Sequence, residues 1–245
     1  CEPWANREAP LKALKWMFDK EAPLLFRPQL DWDQWRWGLK FLAQCNDTAF
    51  ERNVQQIVAL GAYSHAALKD LVASTGIEYN RLERGIAHFY TDQKSFDAAG
   101  HAVELMRKFG VQRRLVSRDE LLKIEPAFKA YGDKITGGTY TSTDESGDAR
   151  VFTQELARRC AARGAQFLYG HDVLRLNKIG DAIDSVAVIA RNTGAGGQKD
   201  FILKADAFVV ACGSYSAPLL RTVGVDLPIY PGKGYSATFP LLRPE

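Results

Sequence analysis

The clearest chemical feature of the sequence is an apolar run that ends in a glycine. Residues 207–212 are almost wholly apolar, and Gly213 and Ser214 follow them. Such a run is typical of a buried parallel strand, and in open α/β sheets ligands bind beyond the carboxyl ends of the strands. Small side chains at this point would let the backbone approach a nucleotide cofactor. A tight turn that needs glycine only for packing would have the same sequence.

Two other glycine clusters do not predict phosphate binding. A dinucleotide fingerprint follows a first strand and opens a helix, whereas the GAGG of residues 194–197 lies between two strand-like segments, 182–191 and 199–203. These glycines therefore predict a hairpin turn, where positive φ angles are needed. The GKG of residues 232–234 lacks both the upstream glycine and the following Ser or Thr of a phosphate loop.

The remaining reactive side chains do not form a recognisable site. The four histidines are dispersed, so no zinc spacing is present, and no G-x-S-x-G motif predicts a hydrolase. Residues 144–148 resemble part of a calcium loop, but Ala149 replaces its required glycine. Asp148 is instead predicted to cap a helix. Cys212 is predicted to be a small buried residue rather than a nucleophile, and we expect no metal site.

Hydrophobic periodicity and capping residues predict alternating helices and strands. Thr48 begins a capping-box sequence and predicts a long helix that ends at Gly76, and Ser117 begins a second such box before Pro126. The predicted helices are residues 11–20, 32–44, 48–75, 117–125, 150–163 and 216–222. One further helix is predicted to carry Phe96, Ala99, Val103 and Met106 on one face and to end just before Gly110. The predicted strands are residues 84–91, 111–116, 134–143, 166–169, 172–176, 182–191, 199–203, 207–212 and 228–239.

Composition indicates a globular protein without a nucleic-acid surface. Of the 245 residues, 46% are hydrophobic, and 32 basic residues are interleaved with 29 acidic ones. A nucleic-acid protein would concentrate its basic residues in one stripe. The four cysteines form no Cys-x-x-Cys pair, which favours a reducing cytosol, and no apolar run reaches the roughly 18 residues of a membrane span. Because the chain begins with Cys1 rather than Met, we expect an interior piece of a longer protein.

All five tryptophans lie in residues 1–47, together with several lysines and arginines. Two interpretations remain open for this segment. It could form a membrane-surface patch, which would place a cytoplasmic protein peripherally on the inner membrane. Aromatic packing beneath a loop-rich flank is the interpretation we prefer, since aromatic residues fill cores as often as they anchor proteins to membranes.

The order of these elements predicts a mixed α/β fold with two lobes. Residues 1–148 are expected to form part of a sheet-and-helix substrate lobe. Residues 149–226 are expected to form an incomplete doubly wound lobe that binds a nucleotide cofactor. Residues 227–245 are expected to return to the first lobe as a strand.

Four segments resemble one family of flavoproteins. ADAFVVACGSYS (205–216), TGGTYTSTDESGDARVFTQEL (136–156) and PIYPGKGYSATFP (228–240) are similar to FAD-dependent oxidoreductases of the D-amino-acid oxidase type. PLKALKWMFDKEAPLLFRP (10–28) is more specific, and it resembles the small subunit of the bacterial D-amino-acid dehydrogenases. In contrast to that family, this sequence contains no G-x-G-x-x-G turn for the cofactor pyrophosphate.

The resemblance implies a reaction and its partners. FAD would accept a hydride from the α-carbon of a D-amino acid, and the imino acid would hydrolyse to a 2-oxo acid and ammonia. Electrons would pass to a quinone or another respiratory acceptor rather than directly to oxygen. Two alternatives to a D-amino-acid dehydrogenase remain open. The chain could be folded but bind no flavin, or it could belong to a related glycine or sarcosine oxidase.

The resemblance also assigns residues to the site. Val173 matches the strand position whose backbone meets adenine, and the segment near the flavin nucleotide contains Ala211, Cys212 and Gly213. The substrate pocket is expected to include Tyr140, Lys233 and Tyr235, with His88 and Tyr90 as further candidates. No side-chain base is required if the substrate amine enters neutral, so no catalytic residue is assigned.

Overall fold

The computed structural model describes residues 5–17, 27–191 and 200–236, and the mixed α/β class is confirmed within them. The helices are α1 (Ala9–Trp16), α2 (Trp32–Ala43), α3 (Asp47–Thr75), α4 (Gln93–Lys108), α5 (Arg118–Ile124), α6 (Ala149–Ala162) and α7 (Ser216–Arg221), and Pro126–Lys134 and Gly213–Tyr215 are 3-10 helices. The strands are β1 (Ile86–Tyr90), β2 (Arg113–Ser117), β3 (Gly137–Thr141), β4 (His171–Ile179), β5 (Ala182–Ala190) and β6 (Phe201–Lys204).

Contacts between residues divide the chain into two compact units. The first unit is built around Asp47–Ala165, and the second combines Arg7–Asn46 with Gln166–Thr238. The sequence predicted boundaries at residues 148 and 226 instead. Compactness does not test which part of the chain holds which ligand, so the assignment of residues 1–148, 149–226 and 227–245 to lobes stays a prediction.

The first unit contains a three-stranded antiparallel sheet with β3 at its centre. Gly138 of β3 pairs with Phe89 of β1 and with Val116 of β2. The sheet is covered on both faces, because the Phe96 ring of α4 packs against Gly137 and the Leu121 side chain of α5 packs against Gly138. Both glycines are buried, and a Cβ at either position would crowd a helix side chain, so α4 and α5 approach the sheet closely at the predicted Gly-Gly strand.

Two apolar clusters stabilise this unit. One combines the buried Val116, Leu121 and Ile135 with neighbours that include Phe128 and Tyr140. The other combines Val72 at the end of α3 with Ile77 and Tyr79, and α6 packs against it. Leu121 and Ile77 are 0% and 1% exposed. Complete burial of each such side chain contributes about 2–3 kcal/mol to the free energy of unfolding.

Helix ends follow the local chemistry of the sequence closely. The Ser117 hydroxyl accepts a hydrogen bond from the Glu120 N–H at 3.2 Å, and the Asp148 carboxylate accepts from the N–H groups of Arg150 and Val151 at 2.9 and 3.0 Å. Both predicted caps are therefore confirmed. The prediction for Thr48 was wrong: α3 begins at Asp47, so Thr48 lies within its first turn.

The second unit contains an antiparallel sheet in the order β4-β5-β6. Strand β5 pairs with β6 in the register Val186–Leu203 and Val188–Phe201. This pairing confirms that the two strands form a hairpin, whereas its GAGG turn lies outside the described residues. A hairpin turn is not followed by the helix that a dinucleotide fingerprint requires.

Three predicted strands were wrong. Residues 207–212 lie outside any strand and Val209 is 91% exposed, so this run is not a buried strand and Cys212 is exposed. Residues 166–169 and the described part of 228–239 also lie outside strands. A parallel strand needs neighbours that satisfy its backbone groups, and among the described residues every pairing between strands is antiparallel.

Candidate functional site

The turn that follows residues 207–212 is well ordered by its own hydrogen bonds. The Cys212 N–H donates to the Ser216 hydroxyl at 3.1 Å, and the Tyr215 N–H donates to the Cys212 carbonyl at 3.1 Å. Gly213 has φ +56, a left-handed conformation that favours glycine. Ser216 is buried, whereas Ala211, Cys212 and Gly213 are exposed. The turn is therefore anchored through Ser216, and residues 211–213 are open to solvent.

Strand β4, which includes Val173, lies against the helix that follows this turn. The Leu176 N–H donates to the Thr222 hydroxyl at 3.2 Å, and that hydroxyl donates to the Leu219 carbonyl at 2.6 Å. Val173 itself is 47% exposed. The four predicted cofactor residues therefore belong to one unit, on β4 and on the turn that leads into α7.

These residues fit one side of a nucleotide-cofactor site. A flavin nucleotide needs open backbone and small side chains where it approaches closely. Ala211 and Cys212 supply such side chains, and no atom of the described residues lies within 4 Å of the position of a Cβ at Gly213. Ala211, Cys212, Gly213 and Val173 would hold the cofactor there, and their assignment stays a prediction.

Asp172, the residue before Val173, forms an ion pair with Arg191. Arg191 at the end of β5 donates through Nε to the Asp172 carboxylate at 2.7 Å. This hydrogen bond is the main cause of a lowered pKa for Asp172, and burial opposes it. The lowered pKa and the pairing with Arg191 make Asp172 a weak proton acceptor, which does not suit a general base.

The first sheet separates the other substrate candidates onto two faces. His88 pairs with Thr139, and Tyr90 pairs with Gly137, whereas Tyr140 pairs with Ala87. Because successive residues of a strand point to opposite faces, His88 and Tyr90 share one face and Tyr140 lies on the other. A single pocket on this sheet therefore does not include all three side chains.

Tyr140 has the contacts of a packed structural residue. Its hydroxyl donates to the Arg84 carbonyl at 2.9 Å, and the Arg114 guanidinium lies 5.5 Å from its ring centre. The ring also packs against the cluster that contains Leu121. A substrate role for Tyr140 stays a prediction, and these contacts show what holds the ring in place.

His88 and Tyr90 lie at different depths on their face. The Tyr90 ring is 6.1 Å from the Phe96 ring of α4. The backbone carbonyl of Tyr90 accepts a hydrogen bond from the Thr136 N–H at 2.9 Å. His88 is exposed. Of the two, His88 is the more accessible to a ligand.

Lys233 and Tyr235 lie together on an exposed segment of the second unit. The Lys233 ammonium is 5.2 Å from the centre of the Tyr235 ring, which is 87% exposed. They were expected on a strand, but their segment has no regular secondary structure. Their place in a substrate pocket stays a prediction.

Sequence reasoning missed a network of charged and aromatic side chains that joins α2 to residues 221–230. It includes the pair Arg221–Asp33 at 2.7 Å. The two partners are separated by 188 residues, so no local pattern could have revealed the contact. Within the described ranges, no group of three or more potential metal ligands occurs.

Comparison with known proteins identifies the family to which this chain belongs. The model of the FAD dependent oxidoreductase family, DAO, matches residues 24–245. The chain belongs to this family. The cofactor of this family is FAD. The resemblance to FAD-dependent oxidoreductases found in the sequence is therefore confirmed.

Curated relatives are more specific. D-amino acid dehydrogenase of Dechloromonas aromatica is 45% identical over 241 residues, which cover 98% of this chain and 56% of that protein. D-amino acid dehydrogenase of Granulibacter bethesdensis is 38% identical over 239 residues, which cover 98% of this chain and 55% of that protein. The chain thus spans about half the length of the curated relatives that it matches.

A solved structure supports the fold. Glycine oxidase from Geobacillus kaustophilus matches with a TM-score of 0.53 and 23% identity, over 69% of this chain and 43% of that chain. At this identity the likeness concerns the fold alone.

Proposed function

We propose that the protein acts in the FAD-dependent oxidative deamination of D-amino acids. The observation that best supports this is the match to D-amino acid dehydrogenases along nearly the whole chain. Bound FAD supplies the acceptor for a hydride from the substrate α-carbon. Water then hydrolyses the imino acid to a 2-oxo acid and ammonia, and two electrons leave for an external acceptor.

The chain's own part in this reaction is to bind and orient. The exposed backbone at Ala211, Cys212 and Gly213, with Val173, forms one side of the flavin site. Lys233 offers a cation that suits the carboxylate of an amino acid, and Tyr235 lies beside it. The proposal places the flavin lobe in residues 149–226 and the substrate lobe in the remainder of the chain.

This arrangement does not need an acid–base pair. If the amine enters neutral, the α-carbon loses its hydride without a side chain that removes a proton. The carboxylate next to Val173 is paired with Arg191, in agreement with such a mechanism. The protein's contribution is then orientation and exclusion of water.

Reduction of an artificial dye tests the reaction and the substrate class. A protein of the relatives' full length that contains this chain, supplied with FAD, is expected to reduce a dye when given D-alanine. A dye replaces the quinone or other respiratory acceptor that we propose. Turnover of glycine or sarcosine without turnover of any D-amino acid would contradict the proposal and would indicate a related glycine or sarcosine oxidase.

The second candidate is a folded chain that binds no flavin. Its support is the absence from the sequence of the G-x-G-x-x-G turn, where flavoproteins hold the pyrophosphate. The absorbance spectrum of the purified 245-residue chain distinguishes the two. Stoichiometric flavin absorbance would contradict this second candidate.

We also propose that α2 contacts a membrane surface. Trp32, Trp35, Leu39 and Leu42 are spaced by three, four and three residues, which places them on one helical face. All four are exposed, at 76%, 48%, 66% and 51%. Aromatic and aliphatic side chains on one face of a short helix suit the interface of a bilayer. Within the described ranges, no helix has the length and apolarity needed to cross a membrane.

Vesicle flotation tests this contact. We expect the protein to float with anionic vesicles, and the double variant Trp32→Ser/Trp35→Ser to bind at least about tenfold more weakly because two large apolar groups are lost. The control variant Leu60→Ser/Tyr63→Ser removes exposed apolar side chains of α3, which are 69% and 74% exposed. Equal flotation of the Trp variant and the wild type would contradict the contact.

A further inference from the structure

Four side chains of α2 and its N-cap are joined to residues 221–230, and we call these contacts the α2 network. The Arg221 guanidinium donates to Asp33 at 2.7 Å, and the Tyr230 hydroxyl donates to Asp31 at 3.2 Å. Asp226 accepts from Lys40 at 3.4 Å and from Arg36. All these residues belong to the second unit.

An aromatic contact adds to the network. The Trp37 ring of α2 lies 6.1 Å from the Tyr230 ring and 5.1 Å from the Phe41 ring. Trp37 faces residues 226–230, because its ring contacts the ring of Tyr230. Helix α2 thus contacts residues 221–230 through one face, while Trp32, Trp35, Leu39 and Leu42 on another face are exposed.

The protonation states favour the network at neutral pH. Burial tends to raise the pKa of Asp226, but the nearby Arg36 and Lys40 outweigh burial and the pKa is lowered. Burial, followed by the nearby Asp31, raises the pKa of Tyr230. Asp226 is therefore a carboxylate and Tyr230 a hydroxyl donor, as their contacts require.

The segment that follows Asp226 depends on these contacts for its course. Described residues 225–236 lie in no helix or strand. Tyr230 is three residues before Lys233, and three residues span at most about 10 Å. Fixing Tyr230 therefore confines Lys233 as well. If the segment were released from α2, Lys233 would no longer be confined.

We propose that Asp226 is a positioning residue: through Arg36 and Lys40 it fixes on α2 the segment that presents Lys233 and Tyr235 to the substrate. This inference rests on the proposed function, because that function makes Lys233 a substrate contact. Asp226 does not touch the substrate itself. Its loss should weaken substrate binding more than it slows the hydride transfer.

Limited proteolysis tests the α2 network independently of enzyme activity. Trypsin cleaves after Lys233, and cleavage requires the segment to open locally. Loss of the charge in Asp226→Asn removes two ion pairs, so the Lys233–Gly234 bond is expected to be cleaved about five times faster. Asp226→Glu keeps the charge and should stay within about twofold of the wild type. Glu155→Gln, which removes an exposed ion pair of α6 with Arg158, should leave the rate unchanged.

Steady-state kinetics test the positioning role. In the full-length context, Asp226→Asn is expected to raise the KM for D-alanine about fivefold with kcat within about twofold, and Asp226→Glu to restore the KM. An unchanged cleavage rate in Asp226→Asn would overturn the network as a restraint. Faster cleavage with an unchanged KM would overturn the positioning role. A wild-type protein without D-amino-acid turnover would overturn the proposed function and this role together, while proteolysis would still decide whether the network holds the segment.

Discussion

Replacing Gly138 with alanine is expected to lower the free energy of unfolding of the first unit by about 3 kcal/mol, because overpacking of a buried site costs this much. An added Cβ would lie 2.5 Å from the His88 carbonyl oxygen and 3.1 Å from Leu121 Cδ1. Strand β3 cannot move away easily, since it pairs with strands on both sides. Denaturant unfolding followed by circular dichroism gives this quantity.

Gly61 provides a matched control for Gly138. It lies inside α3, and in the part of the chain that the structure describes no atom lies within 4 Å of the position of its Cβ. Alanine is a better helix former than glycine, so Gly61→Ala should raise stability by about 0.5–1 kcal/mol. Equal effects of the two substitutions, in sign and size, would contradict the packing described for the sheet.

Replacing Ala211 with phenylalanine is expected to weaken FAD binding by at least about tenfold, since a large side chain would fill space that the cofactor needs near the backbone. Ala211 is exposed, so the substitution should leave the melting temperature almost unchanged. Titration of the full-length apoprotein with FAD, followed by flavin fluorescence, measures the affinity.

Ala205→Phe is the corresponding control. Ala205 is also exposed and follows directly after β6, at a distance of six residues in sequence from Ala211. Its substitution should not change the affinity for FAD. Wild-type affinity in Ala211→Phe would remove Ala211, with its neighbours Cys212 and Gly213, from the flavin site.

Local chemistry explains most of the elements that were predicted correctly. Ser117 and Asp148 cap helices through side-chain oxygens that reach N–H groups two or three residues further on. Gly76 ends α3 with φ +63. Such interactions depend only on neighbours in sequence, so they can be predicted without knowledge of the fold.

Long-range pairing explains the failures. The apolar residues 207–212 predict burial, but a strand also needs a partner, and nothing in the run itself specifies one. Similarly, alternation within β1 predicts that His88 and Tyr90 share a face. The face of Tyr140 depends on the register with β1, which brings Tyr140 opposite Ala87 and cannot be derived from either strand alone.

The candidate site was predictable only as far as the resemblance extended. The glycine at position 213 and the small residues before it mark the turn in the sequence, and the structure shows how Ser216 supports that turn. The partners of Asp226 could not be predicted, because Arg36 and Lys40 lie 190 and 186 residues away. Such pairs are determined by the complete fold.

Anaerobic reduction of the flavin tests the central claim most directly. The full-length protein with bound FAD is mixed with D-alanine or L-alanine in the absence of oxygen and of any dye, and the flavin absorbance is followed. The proposed function predicts rapid loss of the oxidised flavin absorbance with D-alanine and no loss with L-alanine. Bleaching by L-alanine alone, or no bleaching by any D-amino acid, would contradict it.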